Sequence, residues 1–450
     1  MTSLIGAHHS SLSKEHRFAI ETALREGRLR AVVCSTSLEL GIDIGYIDLV
    51  ILLGSPKSVA RALQRVGRSG HQLHATTKGR IIVLDRDDLI ECSVLLKHAV
   101  EKKIDKIHIP SNCLDVLAQQ LVGIALEQMW DIEELYRMLR QSYCYRALEW
   151  KDYDELLAYL AGEYISLEDR HIYARIWYDR EQKKIGKKGK MSRVIYMTNI
   201  GTIPDQTGVT VKIGTHKIGS IDEIFMERLN VGDRFVLGGE VYEFKHARGM
   251  VAQVTAATGK KPTVPSWFSE NLPLSFDLAI GIQKFRLIIK EKFDAKEKKA
   301  QVISFIHDYL YIDDNAAHAI YNYLREQYLY IGMPNEKELY VEYYKEGGKW
   351  YVIFHSLYGR RVNDAFARSV AYAVSRVLHE DVSITISDNG FMLVLNKHVA
   401  IMPVLSLIKV KDFQGILRNA IDKTEVLKRR FRHCAGRALM ILRNYKGRIK

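Results

Sequence analysis

The segments VVCSTSLELGIDIG at 32–45 and QRVGRSGH at 64–71 decide the interpretation of this chain. The first is typical of an apolar strand that runs into a small, polar, glycine-containing turn. The second places two arginines and a glutamine together at the end of a short helix. A second apolar strand, at 48–53, lies between them. Strand, polar loop, helix and strand in this order indicate an α/β domain that handles nucleotides.

The composition is typical of a soluble protein with several hydrophobic cores. The chain has 450 residues, of which 47% are hydrophobic and 26% are charged, and this length predicts more than one domain. No apolar run approaches the roughly 20 residues that span a bilayer, and residues 1–6 do not resemble a signal peptide. The five cysteines are scattered without a CxxC pair. We therefore expect a cytoplasmic protein with no membrane partner, no disulfide framework and no zinc site.

The positive charge is the first indication of a partner class. The formal net charge is +13, and a basic surface attracts phosphate-rich partners through counterion release, whatever their sequence. A lysine-rich proteome, such as that of a thermophile, would give the same excess. Both explanations stay open from charge alone.

Three motifs together resemble the Lhr (large helicase-related) family of superfamily 2 helicases. They are HHSSLS at 8–13, STSLELGIDIG at 35–45 and QRVGRSGH at 64–71. Two further segments, NIGTIPD at 199–205 and VGDRFVLGGEVYEF at 231–244, resemble the same family. The resemblance therefore covers almost the full length, and it implies that residues 1–100 form part of the second RecA-like domain of an ATP-dependent helicase.

The resemblance also implies roles for residues of these motifs. Thr36 and Ser37 would contact the nucleic-acid backbone, while Arg68 would be the arginine finger, with Arg65 as its catalytic neighbour. The implied nucleotide-binding set is Gly41, Asp43, Gln64, Arg65 and Arg68. Guanidinium groups suit these roles because they donate paired, charge-assisted hydrogen bonds to phosphate and stabilise charge on a transferring phosphoryl group.

Two motifs of a complete ATP site do not occur in these 450 residues. There is no GxxxxGK[ST] sequence, and no DExH motif precedes the arginine segment. The resemblance implies that the first RecA-like domain, with the first strand and helix of the second, is missing from this sequence. ATP and Mg²⁺ are expected for the intact helicase. Without the P-loop lysine and the metal-holding acid, we expect this chain alone to bind neither stably.

Three further domains are predicted after the first. Residues 104–190 are expected to form a winged helix, from three amphipathic helices followed by a strand and a lysine-rich turn. Residues 191–283 carry short alternating runs between glycine-containing turns, which predict a small β-barrel. Residues 284–450 are expected to form a helicase-associated α+β region that is truncated. The predicted fold class is multidomain α/β: a partial RecA-like parallel α/β domain, a winged helix, then a β-barrel-containing α+β region with helices.

Three helices are predicted with particular faces. The first runs from residue 14 to about 26 and turns Phe18 inward. A highly charged helix over 284–299 is expected to present a solvated face. The last helix, over 425–443, is expected to turn its apolar residues inward: Leu427, Phe431, Cys434, Ala435, Ala438, Ile441 and Leu442. Its basic face could contact phosphates or could serve a solvated or interdomain role.

Trp177, Arg360 and Arg361 are further candidates for nucleic-acid contacts. Trp177 lies beside a basic loop, where an aromatic ring can stack on a base of a single strand. It could equally pack the wing against a neighbouring domain. Arg360 and Arg361 open a predicted helix that extends to about residue 378, where phosphate binding and a structural role are both open.

The leading hypothesis is the C-terminal portion of an Lhr-type ATP-dependent 3′–5′ helicase or translocase that acts in DNA repair or recombination. Its partner would be single-stranded DNA or a DNA–RNA hybrid. The alternative is a single-stranded nucleic-acid-binding module without a motor, or half of a split helicase whose first RecA-like domain is separately encoded. Base-excision chemistry ranks third, because no carboxylate is marked as its catalyst.

Overall fold

The described part of the chain divides into two compact units. Residues 1–107 group with 272–420, and residues 108–271 group with 421–450. The division into four consecutive domains stays a prediction. The computed structural model describes residues 4–8, 14–39, 47–69, 77–163, 174–203, 209–222, 225–226, 229–237, 240–263, 272–422, 424–442, 444–445 and 448–449.

The N-terminal stretch contains two parallel strand pairs, as the α/β pattern predicts. Strand β1 pairs with β2, and β3 pairs with β4. The elements are β1 (Ile5–His8), α1 (Lys14–Arg25), β2 (Ala31–Cys34), a 3₁₀ turn (Thr36–Leu38), β3 (Val50–Leu53), α2 (Val59–Val66), β4 (Gly79–Ile82) and α3 (Arg86–Val100).

Many apolar side chains of this stretch are exposed. Phe18 is 65% exposed, so the prediction that it faces inward is wrong. The physical reason is that no described element packs over this side of α1. The other exposed apolar side chains here include Ile5, Val33, Ile51, Leu53, Ile82 and Leu84.

The next elements have the order of a winged helix. Their sheet has the order β5-β7-β6, and Asp131 begins the second helix by accepting from the N–H groups of Glu133 and Glu134. Gly162, with φ of 76°, ends the third helix. The elements are α4 (Leu114–Glu127), β5 (Trp130–Asp131), α5 (Ile132–Leu139), a 3₁₀ turn (Tyr143–Tyr145), α6 (Trp150–Ala161), β6 (Ile176–Asp179) and β7 (Lys184–Lys187).

A five-stranded mixed sheet follows, where the sequence predicted a barrel. The strand order is β10-β11-β12-β8-β9, so β10 and β9 lie at opposite edges among the described strands. A Cβ atom at Gly219 of β9 would lie 3.0 Å from the Leu237 side chain of β10, so the sheet curls towards itself as a half-barrel. The elements are α7 (Ser192–Asn199), β8 (Val209–Ile213), β9 (His216–Ile221), β10 (Arg234–Leu237), β11 (Glu240–Arg248) and β12 (Val251–Ala256). Helix α7 and strand β9 were not predicted.

The remainder of the first unit consists of three helices and an antiparallel sheet covered by further helices. The sheet has the order β13-β14-β16-β15, and its predicted hairpin around 388–390 is confirmed. The elements are α8 (Phe276–Asp294), α9 (Lys299–Leu310), α10 (Asp314–Tyr330), β13 (Tyr340–Glu346), β14 (Lys349–His355), α11 (Arg360–Leu378), β15 (Ser383–Ile386), β16 (Phe391–Leu395), α12 (Ile401–Leu407), a 3₁₀ turn (Val410–Asp412) and α13 (Phe413–Ile421).

The charged segment 284–299 is not one solvated helix. It is divided between α8 and α9, and Arg286 within it is only 5% exposed. Helix α8 packs with α3, α9 and α10 around a common core that contains Val94, Phe285 and Ile306. Burial on this core therefore outweighs the charge pattern of α8.

The last elements belong to the second unit. They are α14 (Glu425–Arg437), β17 (Asn444–Tyr445) and β18 (Arg448–Ile449). The helix is shorter than predicted, and Leu427, Phe431 and Ile441 are exposed rather than inward. Ala435 is buried, as predicted, and Leu439 is buried as well, because α14 docks on α4 through its C-terminal end. No helix in the described part of the chain is long and apolar enough to cross a membrane.

Candidate functional site

The polar turn and the arginine segment meet at Glu39. Arg65 donates from Nε and Nη2 to Glu39 Oε2, at 3.1 and 3.0 Å. Arg68 donates from Nε and Nη2 to the Glu39 backbone oxygen, at 3.2 and 2.7 Å. Two residues predicted to bind phosphate are thus brought together at the end of the 3₁₀ turn that carries Thr36. Glu39 was not predicted; its only sequence signal is a carboxylate inside the turn motif.

The turn itself is held by a buried histidine. Ser37 Oγ donates to the His8 backbone oxygen at 2.9 Å and lies 2.7 Å from His8 Nδ1. The other ring nitrogen, Nε2, lies 2.9 Å from Glu21 Oε1. Thr36 is exposed at the start of the turn. The structure therefore leaves Thr36 accessible, while the Ser37 hydroxyl is engaged within the protein.

The start of α2 is fixed by Asp105, which follows α3. Asp105 Oδ2 accepts from the Ser58 hydroxyl and from the Ala60 N–H, both at 2.9 Å. Its Oδ1 accepts from the hydroxyl of Ser275, the N-cap of α8. Partial burial acts to raise the pKa of the Asp105 carboxyl, but these hydrogen bonds outweigh burial and hold the pKa below its ordinary value. One carboxylate thus connects the helix that carries Arg65 to α8.

The loop between β3 and α2 is anchored to α3 by charge. Ser55 N–H donates to Asp88 Oδ1 at 3.0 Å, and Lys57 Nζ donates to Glu91 Oε2 at 2.9 Å. Burial raises the pKa of the Glu91 carboxyl, although Lys57 partly offsets this. Burial acts to lower the pKa of Lys57, but Glu91 and then Asp388 outweigh it, so this pKa is raised. The pair therefore connects the loop to α3 in a largely buried place.

Arg360 and Arg361 open α11 close to the same helix α2. The Arg360 N–H donates to Asp388 Oδ1 at 3.0 Å, and the same oxygen accepts from Leu274 N–H at 3.0 Å. The pKa of Arg61, on α2, is lowered first by burial and also by the charges of Arg361 and Arg65. The fold thus brings Arg361, far away in sequence, near the arginine segment.

Of the remaining predicted site residues, some lie within the described part of the chain and others do not. Gly41 and Asp43 lie outside the described residues. Gln64 is exposed on α2. Trp177 belongs to the second unit, where its half-buried indole lies against Gly186 of the partner strand β7. Among the described residues, no group of three or more His, Cys, Asp or Glu is arranged to hold a metal ion.

Three family profiles match this chain. The one described as "Large helicase-related protein, winged helix domain" covers residues 97–264. "Helicase conserved C-terminal domain" covers residues 3–72, which include the turn and the arginine segment. "DEAD/H associated" covers residues 333–450.

Curated relatives match along nearly the whole chain. The ATP-dependent helicase Lhr-Core of Methanothermobacter thermautotrophicus is 56% identical over 447 residues, which are 99% of this chain and 52% of the relative. Lhr-Core of Saccharolobus solfataricus is 47% identical over 453 residues, with 99% and 51% covered. The Lhr helicase/uracil glycosylase of Escherichia coli is 30% identical over 446 residues, with 97% and 28% covered. The chain spans about half the length of the Lhr-Core relatives.

A solved helicase structure also aligns along nearly the whole chain. The helicase Lhr of Mycobacterium smegmatis, bound to single-stranded DNA and AMP-PNP, aligns with a TM-score of 0.74 at 27% identity. The alignment covers 99% of this chain and 52% of that structure.

Proposed function

We propose, since this chain belongs to the Lhr family of superfamily 2 helicases, that it acts as the C-terminal portion of an ATP-dependent 3′–5′ helicase or translocase. In that role it binds single-stranded DNA or a DNA–RNA hybrid and closes on a nucleotide held by a first RecA-like domain. Its process would be DNA repair or recombination.

The convergence of Arg65 and Arg68 on Glu39 carries this proposal. Two guanidinium groups lie side by side at the end of α2, one of them paired with a carboxylate and the other with a backbone oxygen. Both kinds of acceptor resemble the oxygens of a phosphate in charge or geometry, so a nucleotide can replace them. Arg68 would act as the arginine finger, and Gly41, Asp43 and Gln64 would complete the nucleotide contacts.

The described residues fit ATP in part. Arg65 and Arg68 suit its phosphates, and Mg²⁺, when bound, would neutralise charge on them. The carboxylates that hold Mg²⁺ would come from the first RecA-like domain. The relative from Mycobacterium smegmatis is bound to both single-stranded DNA and AMP-PNP, which supports a single strand and a nucleotide as the ligands of the proposed helicase.

The exposed strand pairs support a partner that completes the parallel sheet. Parallel strands are normally covered on both faces, yet Val33 of β2 and Ile51 and Leu53 of β3 are exposed. A first RecA-like domain, together with the strand and helix that connect to it, would cover these side chains. It could be part of the same polypeptide or separately encoded.

ATPase and binding measurements on the purified chain test this function. We expect binding to a fluorescent single-stranded oligonucleotide at low salt, without ATPase activity stimulated by DNA. Adding the first RecA-like domain of a close relative as a second polypeptide should produce stimulated ATPase activity. Turnover by the chain alone would contradict the proposed division of the ATP site.

A binding module without a motor is the second candidate, because the 450 residues contain no GxxxxGK[ST] sequence. It would be supported by tight binding to single strands and by no ATPase activity after the first RecA-like domain is added.

A further inference from the structure

A buried histidine lies beside the turn that carries Thr36. His8 ends β1, which pairs in parallel with β2 so that His8 lies opposite Cys34. Because parallel strands end at the same edge of a sheet, this places His8 next to the turn that follows β2. His8 is only 1% exposed, whereas Thr36 is exposed. The histidine can therefore affect a ligand at Thr36 only through the residues that it contacts.

Both ring nitrogens of His8 are engaged within the protein. Nδ1 lies 2.7 Å from the Ser37 hydroxyl, and Nε2 lies 2.9 Å from Glu21 Oε1 on α1. The Ser37 hydroxyl also donates to the His8 backbone oxygen at 2.9 Å. Buried polar groups that are hydrogen-bonded on both sides cost free energy to displace. One side chain thus connects α1, the end of β1 and the turn.

The turn lies between the proposed strand contact and the proposed nucleotide contacts. Its first residue, Thr36, is exposed, and its second, Ser37, is anchored to His8. Glu39, directly after the turn, accepts from Arg65 and Arg68. The Glu39 N–H donates to the Thr36 backbone oxygen at 3.1 Å, so the two ends of the turn are joined. A displacement at Ser37 would therefore move Thr36.

We propose that His8 and Glu21 are positioning residues for nucleic-acid binding, which hold the turn so that the Thr36 hydroxyl meets a phosphate of the bound single strand. The proposal rests on the proposed function, since it needs a strand at Thr36. Threonine hydroxyls are suitable phosphate contacts, and a hydrogen bond weakens steeply when its distance or angle is lost. His8 acts through Ser37 and does not touch the strand. A purely structural role would stabilise the fold and leave the affinity of the folded protein unchanged.

A double-mutant cycle on strand affinity tests the coupling of His8 to Thr36. The probe is a fluorescent oligothymidylate titrated with the full chain at low salt. His8→Ala and Thr36→Ala should each weaken binding about fivefold, the loss expected for one hydrogen bond. His8→Ala/Thr36→Ala should bind no worse than Thr36→Ala alone, because His8 acts only through the turn. No cation is removed, so the slope of log K against log salt should stay unchanged.

Two variants of Glu21 separate positioning from stability. Glu21→Gln keeps an oxygen opposite His8 Nε2 and should retain the wild-type affinity within about twofold. Glu21→Ala removes that oxygen and should weaken binding as His8→Ala does. His318→Ala is the matched control, at an exposed histidine of α10, and should bind as the wild type does. Thermal unfolding checks that each variant is folded during the titration.

The outcomes distinguish this proposal from the proposed function. Additive losses in the double variant would overturn the positioning role, since His8 would then act independently of Thr36. Wild-type affinity in either single variant would overturn it as well, and in each case the proposed function would stand. No binding by the wild type would contradict the proposed function itself. If His8→Ala does not fold, Glu21→Ala takes its place in the cycle, with the same result expected.

Discussion

The carboxylate of Asp105 caps α2 in concert with Ser58, because Asp105 Oδ2 accepts from the Ser58 hydroxyl at 2.9 Å and the Ser58 hydroxyl also accepts from the Arg61 N–H. The same carboxylate reaches the N-cap of α8 through Ser275. A single residue between α3 and α4 thereby fixes the helix that presents Arg65 and Arg68. Sequence patterns near either arginine give no sign of it.

Replacing Asp105 should loosen both helix starts. Asp105→Ala leaves three donors without their charged acceptor, so we expect the free energy of unfolding to fall by about 2–3 kcal/mol. Urea denaturation measures this change. The matched control is Asp381→Ala, at an exposed aspartate, for which a change below about 0.5 kcal/mol is expected. A similar loss in both variants would contradict the capping role.

The Asp105 contribution should also depend on pH. Its pKa in the folded protein lies below the ordinary 3.8, so the folded state favours the charged carboxylate. The stabilisation is present above the unfolded pKa and is lost as pH falls through the folded pKa. The stability difference between the wild type and Asp105→Asn should be largest near pH 6 and should shrink below pH 4. A stability difference that is constant over this pH range would be inconsistent with a stabilising role of the charged Asp105 carboxylate.

The Lys57–Glu91 pair should be sensitive to the loss of one partner only. Lys57→Met leaves the Glu91 carboxylate buried and unpaired, which should lower the free energy of unfolding by about 2–3 kcal/mol at pH 7. Lys57→Met/Glu91→Leu removes both charges and should recover most of the loss. Methionine keeps the length of lysine at a residue with φ of 65°, so backbone strain stays matched. If the double variant were less stable than the single variant, the desolvation argument would fail.

This pair also gives a pH signature. Burial raises the Glu91 pKa above its ordinary 4.5, and removal of Lys57 should raise it further. A carboxyl with a raised folded pKa favours folding below its unfolded pKa, and this contribution is lost as pH rises through the folded value. Relative to the wild type, Lys57→Met should therefore lose stability as the pH rises from the ordinary carboxyl pKa of 4.5 towards neutrality. Thermal melts across this range check the sign.

Arg68 should be essential to ATP hydrolysis once the first RecA-like domain is supplied. Arginine fingers contribute about 10³ or more to the rate because they stabilise charge on the transferring phosphoryl group. Arg68→Lys should lose most of this factor, since lysine cannot donate two parallel hydrogen bonds. Binding of single-stranded DNA should change little. The control is Arg80→Lys, at an exposed arginine of β4, and equal ATPase activity of Arg68→Lys and wild type would remove the assignment.

Gly186 and Trp177 give a test of the wing. A Cβ atom at Gly186 would lie 2.7–2.9 Å from three atoms of the Trp177 indole, so Gly186→Ala must displace the ring. We expect a loss of about 1–2 kcal/mol in the free energy of unfolding. Gly415→Ala is the matched control, because nothing lies within 4 Å of its added Cβ and alanine favours its helix. Unchanged stability in Gly186→Ala would show that the indole moves freely, which would favour a role in stacking on a nucleic-acid base.

Local signals in the sequence were sufficient for many elements. Asp131 and Gly162 mark helix ends by capping and by a positive φ, and both were located correctly. The hairpin around 388–390 follows from its Asp-Asn-Gly turn. The turn and arginine motifs are recognisable from their residues alone. Their meeting point at Glu39 depends on contacts between residues 26 or more positions apart.

Errors occurred where tertiary packing decides the result. Phe18 and Phe431 have apolar side chains at helical spacing, yet each is exposed because its helix packs through another face or lacks a described neighbour. Arg286 shows the opposite case, since its charge predicted solvent while α8 buries it beside Gln327 and Asp87. The spacing of apolar residues shows that a helix has an apolar face. Which face of the helix is buried depends on the elements that pack against it.

The two units alternate along the sequence, and this order has a consequence for folding during synthesis. The buried face of α3, with Ile90 and Val94, shares a core with Phe285 and Ile306. At roughly 5–20 residues per second, the ribosome needs on the order of ten seconds to make the segment that separates them. During that time the α3 face has no α8 or α9 to cover it. The unit formed by residues 1–107 and 272–420 can therefore complete its fold only late in translation. A nascent chain that pauses near residue 271 would be a preferred client for chaperones.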